Sequence, residues 1–127
     1  MKRAISLLLL AFVLVACTYS GKSMRVDVFN PAAKIYDEGM EAYRSGDIDT
    51  AISRFKDIVD YYPRNGLADD ALLMLAQCLE EKGELYSALA YYKLFVYRFP
   101  EDSRVDKVMT KIKELEKKLG IRKKKEG

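Results

Sequence analysis

Gly46-Asp47-Ile48-Asp49-Thr50-Ala51-Ile52 and Gly83-Glu84-Leu85-Tyr86-Ser87-Ala88-Leu89 are one phrase written twice, 37 residues apart. The same spacing separates Pro63 from Pro100 and carries Gly83 on to Gly120. Between glycine and proline the copies agree in kind: Phe55 falls on Tyr92, Ile58 on Phe95, Val59 on Val96, and Tyr61-Tyr62-Pro63 on Arg98-Phe99-Pro100. A fixed period of this length marks a supersecondary unit stacked on its own copy, because one unit alone cannot bury its apolar face. Two units and the front half of a third are present.

Each unit reads as two helices joined by a tight turn. Leu72, Leu75, Ala76 and Leu79 fall at i, i+3, i+4 and i+7, one face of a 3.6-residue period. Gly83 follows, where a helix can end in the left-handed conformation without a Cβ penalty. Ala88, Tyr92, Phe95, Val96 and Phe99 form the next apolar stripe, stopped by Pro100. The first unit repeats this logic, with Asn30 as N-cap before Pro31, then Ile35, Gly39 and Ala42, and after the turn Ala51, Phe55, Ile58, Val59 and Tyr62. Ser103-x-x-Asp106 reads as a capping box opening a last helix, with Val105, Val108, Met109, Ile112, Leu115 and Leu119 inward. Five helices are expected, each antiparallel to its sequence neighbour.

The start of the chain carries a different message. Lys2 and Arg3 precede an almost purely apolar run from Ala4 to Ala16, the form of a secretory signal. About a dozen apolar residues are too few for the ~20 of a transmembrane helix. Leu14-Val15-Ala16-Cys17 resembles the lipobox of bacterial lipoproteins, which implies cleavage before Cys17 and acylation of its thiol. Thr18, in place of an Asp, favours the outer membrane over the inner one. The expected order is a signal peptide at 1–16, lipidated Cys17 with a leader to residue 30, a repeat domain at 31–120 and a basic tail at 121–127. A covalent lipid on Cys17 is the only added group expected. Cys78 is then left without a partner in an oxidising compartment, so stability has to come from packing.

Composition excludes several functions. There is no histidine, which removes the commonest general base and metal ligand, and no Gly-rich phosphate loop occurs. Glu80-Glu81 and Asp69-Asp70 are sequence neighbours that point in different directions on a helix, so they read as solvated surface. Neither an enzyme nor a metal site is expected. The formal charge of +3 owes two units to Lys2 and Arg3, too even a balance for a nucleic-acid binder.

The residues resemble tetratricopeptide repeats. That family places a small residue in the first helix of a unit, another early in the second helix, an aromatic one turn later and a proline at the close. Gly39, Ala51, Phe55 and Pro63 fill these places in the first unit, and Ala76, Ala88, Tyr92 and Pro100 in the second. Small residues let the paired helices approach, and the aromatic fills the space beside them. Three residues added after each proline lengthen the family's period of about 34 to 37. The first unit departs from the pattern at Glu38, where the family prefers a leucine-like residue. The resemblance implies an all-α, right-handed superhelix of two repeats plus a C-terminal capping helix. Lipobox and repeats together are similar to the tetratricopeptide lipoproteins of the outer-membrane β-barrel assembly machine, and to the repeat domains of periplasmic proteins that work with the Tol-Pal system.

By register, the family's concave face comprises Ala33, Tyr36, Met40, Tyr43 and Arg44 in the first unit, and Asp70, Leu73, Gln77, Glu80 and Glu81 in the second. Tyr36, Met40, Tyr43, Arg44, Leu73, Gln77 and Glu80 are the residues expected to hold a partner. Tyr and Arg are favoured at binding hot spots. For the apolar three a second reading stays open, cover by residues 18–30 or half-burial in the domain. Cys78 has no basic neighbour to lower its pKa and reads as a small, partly buried residue. The lysines and Arg122 between Lys117 and Lys125 read as a solvated end, or as an attraction to anionic headgroups. The expected function is a lipid-anchored scaffold at the periplasmic face of the outer membrane, binding a protein or extended peptide segment such as an outer-membrane assembly component. Alternatives are a Tol-Pal or cell-division coordinator, or a peptidoglycan-binding accessory with Tyr36 and Tyr43 stacking on sugars.

Overall fold

A computed structural model describes residues 29–121. Five helices follow one another: α1 (Pro31–Ser45), α2 (Ile48–Tyr61), α3 (Ala68–Lys82), α4 (Leu85–Arg98) and α5 (Val105–Lys118). Each packs mainly on its neighbours in sequence, α1 on α2, α2 on α3, α3 on α4 and α4 on α5. That connectivity is a solenoid, in which α1 with α2 and α3 with α4 are full units and α5 begins a third. The signal peptide, Cys17, nearly all of the leader and residues 122–127 of the tail lie outside the described residues.

The period recurs in the turns atom for atom. Gly46, Gly83 and Gly120 have φ of 83°, 87° and 67°. After each, the next residue donates its N–H to the carbonyl five residues back: Asp47 to Ala42 at 2.9 Å, Glu84 to Leu79 at 2.9 Å and Ile121 to Glu116 at 2.9 Å. This is the Schellman closure of a helix, and it explains why the glycines hold the period most strictly. After Pro63 and Pro100 an Asx turn forms: Asn65 Oδ1 accepts from Leu67 N at 3.0 Å, and Asp102 Oδ1 accepts from Arg104 N at 2.8 Å. The residues that lengthen the family's period therefore have a job, starting α3 and α5.

Two expected caps are corrected by these turns. The Ser103-x-x-Asp106 box does not form, because α5 starts one residue later, behind Arg104, and Asp102 does the ordering. Asn30 is the N-cap of α1, with Pro31 in the first turn, yet its side chain caps nothing. Its Oδ1 accepts from Asn65 Nδ2 at 3.0 Å, fastening the entry of α1 to the α2–α3 loop.

The core runs through the middle of the stack. Phe55, Ile58, Leu72, Leu75, Phe95 and Cys78 are its largest fully buried side chains. Cys78 is thus wholly rather than partly buried, and burial, aided by the charge of Glu81, pushes its thiol up to about 11. Gly39 shows why the family wants a small residue: a Cβ there would come within 2.9 Å of the Phe55 ring. Met109, expected inward, is 36% exposed. Its register mates Ile35 and Leu72 each have a following helix to pack on, and among the described residues α5 has none.

Candidate functional site

Helices α1, α3 and α5 are the first helices of successive units and share one face of the solenoid. Their helical stagger leaves a cleft of about 550 Å³ between α3 and α5. Leu73 and Met74 of α3, Val108 of α5 and Tyr92 of α4 make its apolar floor. Tyr36 of α1 closes one end, with its ring edge-on to Phe55 at 5.5 Å between centroids. Gln77, Lys107, Thr110, Lys111 and Glu114 supply a polar rim.

Two ion clusters hold the walls in place. Arg104 binds Asp102 through Nε and Nη2 at 2.8 Å each, Asp69 at 2.8 Å, and Asp70, while its guanidinium lies 5.4 Å from the centre of the Phe95 ring. It ties the start of α5 to the start of α3, and its hydrogen bonds hold the Asp102 carboxyl down to about 2. Further along, Glu80 accepts from the Tyr92 hydroxyl at 3.0 Å and from Lys111 at 3.2 Å, joining α3 to both α4 and α5. Burial first, and this acceptor second, raise the Tyr92 phenol well above its usual range, so it stays a donor. Tyr36 is raised too, by burial and then by the charge of Asp70.

Of the seven residues expected to hold a partner, Tyr36, Leu73 and Gln77 line this cleft. The others lie elsewhere. Met40 is half-buried against the core. Tyr43 is likewise packed against the core and donates its hydroxyl to Glu81 at 2.6 Å, which raises its own phenol. Arg44 is exposed in the last turn of α1. Glu80 is engaged in the bridge just described. Sequence reasoning passed over the α5 wall, although the signal was available: adding 37 to Asp70, Leu73 and Gln77 lands on Lys107, Thr110 and Glu114, all three on the cleft. The floor contribution of Tyr92 had no such signal, since its place in the pattern is that of a core aromatic.

Asp70 is bound to Arg104, Glu114 to Lys111, and the Thr110 hydroxyl donates to the Asp106 carbonyl at 3.1 Å, which leaves Lys107 and Gln77 suited to hydrogen bonding a ligand. Comparison with curated proteins and with solved structures gives no match. A family model described as tetratricopeptide repeat matches residues 36–103, more than half of the chain. That span runs from within α1 through α4 to the residue before Arg104, and the chain belongs to the tetratricopeptide-repeat family, whose repeats are protein-binding modules.

Proposed function

We propose that this protein is a lipid-anchored scaffold of the bacterial envelope, which docks an extended segment of a protein partner in the α3–α5 cleft during outer-membrane assembly. The observation that carries the docking is the cleft itself, an apolar floor with hydrogen-bonding groups at its rim on a scaffold whose walls are fixed by ion pairs. The anchor rests on Lys2-Arg3, the apolar run and Leu14-Val15-Ala16-Cys17. Sugar stacking has less support, because Tyr36 rests edge-on against Phe55 and the Tyr43 hydroxyl is held by Glu81.

Two experiments test the parts separately. In cells making Cys17→Ser, the protein should accumulate as an uncleaved precursor without lipid, seen by mass spectrometry of the membrane fraction; normal processing refutes the anchor. A photo-crosslinking amino acid at Gln77 should trap outer-membrane assembly components that the same probe at Tyr97, on α4 outside the cleft, does not. Trapping of Tol-Pal or division proteins at Gln77 would replace the assembly role with the coordinator role. Equal trapping at both positions refutes docking in the cleft.

A further inference from the structure

The residues just before α1 carry a pattern of their own. In Met24-Arg25-Val26-Asp27-Val28 apolar and charged residues alternate strictly, so an extended chain puts Met24, Val26 and Val28 on one side and Arg25 and Asp27 on the other. Such a segment needs an apolar surface to cover. Phe29, next in the alternation and opposite Val28, is 83% exposed.

We propose that residues 24–28 are a built-in occupant of the α3–α5 cleft, which a partner has to displace. The inference rests on the cleft being the docking surface, and three observations support it. The first is the point of attachment. Asn30 is fastened to Asn65, five residues before Asp70, so the segment sets out from the end of the cleft that Asp70 and Tyr36 occupy. The second is length. Five extended residues with three apolar side chains span about 14 Å at ~3.4 Å per residue, against ~10 Å of α3 between Asp70 and Gln77 at ~1.5 Å per residue. The third is the order of charges. Leaving the Asn30 end, the chain presents Asp27 first and Arg25 after it; the α5 rim presents Lys107 first and, two turns later, Glu114, which pairs with Lys111 at 3.7 Å. Lys107 makes no ion pair among the described residues and is free for Asp27.

Disulfide trapping in the full chain tests this. With Cys17→Ser in both, one variant carries Val26→Cys and Thr110→Cys, Thr110 standing on the cleft rim, and the other Val26→Cys and Tyr97→Cys. Buried Cys78, its thiol at about 11, does not compete. A disulfide needs Cα atoms within about 7 Å, so under mild oxidation the Thr110 pair should close within one molecule at least tenfold faster than the Tyr97 pair. Equal rates, no closure, or closure only between molecules overturns the proposal. Trapping of the partner at Gln77 is read independently. Closure without partner capture removes the docking function and leaves the occupant; capture without closure removes the occupant alone.

Discussion

The two repeats share a plan and differ in what surrounds them. In the first, α1 buries only Ala32, Gly39 and Ala42; in the second, α3 buries seven residues, among them Leu72, Leu75 and Cys78. Helix α3 is packed on both sides, by α2 and α4, whereas among the described residues α1 has α2 alone. Glu38 and Leu75 make the point at one register position. Glu38 sits at the surface and pairs with Arg54 at 3.1 Å, and Leu75 is 1% exposed. The paired-helix contact differs as well: Phe55 lies on Gly39, while Tyr92 reaches Glu80 with its hydroxyl. Position in the stack, rather than the repeat pattern, sets how much each copy contributes.

The largest effect should come from that pair of positions. Leu75→Ala is expected to cost about 2–5 kcal/mol, the usual range for a cavity in a core that closes incompletely. Glu38→Ala should stay within ~0.5 kcal/mol, since exposed ion pairs contribute little. Urea unfolding of the two variants checks this, and similar losses would mean that α1 is covered as fully as α3.

A contact that both repeats share should respond alike in both. Ala51 and Ala88 are completely buried, so Ala51→Leu and Ala88→Leu should each lose about 1–3 kcal/mol through overpacking. Thr50→Leu and Ser87→Leu, one residue away and exposed, should melt close to wild type. Equal thermal midpoints for all four would break the shared register.

Tyr92→Phe turns the second repeat's aromatic into that of the first. Losing the bond to Glu80 should cost about 0.5–1.5 kcal/mol, and it should loosen α5, since Glu80 also holds Lys111. Faster hydrogen exchange in α5, with α1 and α2 unchanged, is the expected signature. Exchange that quickens uniformly would deny the second repeat its separate network.

The smallest effect is confined to acid. Asp102 is held below its unfolded value of about 3.9 by Arg104, so its stabilising effect is complete above that value and is lost as pH falls from about 4 towards 2. Asp102→Asn should flatten the fall of the melting temperature in that window and leave its slope between pH 5 and 7 unchanged. Asn65, the counterpart in the first repeat, makes the same turn without a titrating group and gives no such slope.

Periodicity alone was enough to read five helices, the three glycine closures and the small residues at the helix contacts. Each depends on residues close in the chain or one period apart, and backbone geometry dictates them. The tertiary structure decided the cleft. It brought Tyr36, Leu73 and Gln77 together, kept Met40 and Tyr43 for packing, and took Glu80 for a bridge. Arg104 meets Asp69 and Asp70 across 35 and 34 residues, and Tyr43 meets Glu81 across 38. Such pairs depend on how far each helix turns relative to the next, a rotation set by the sizes of packed side chains such as Gly39 against Phe55. A period specifies which residues share a face, and packing decides which of those faces meet.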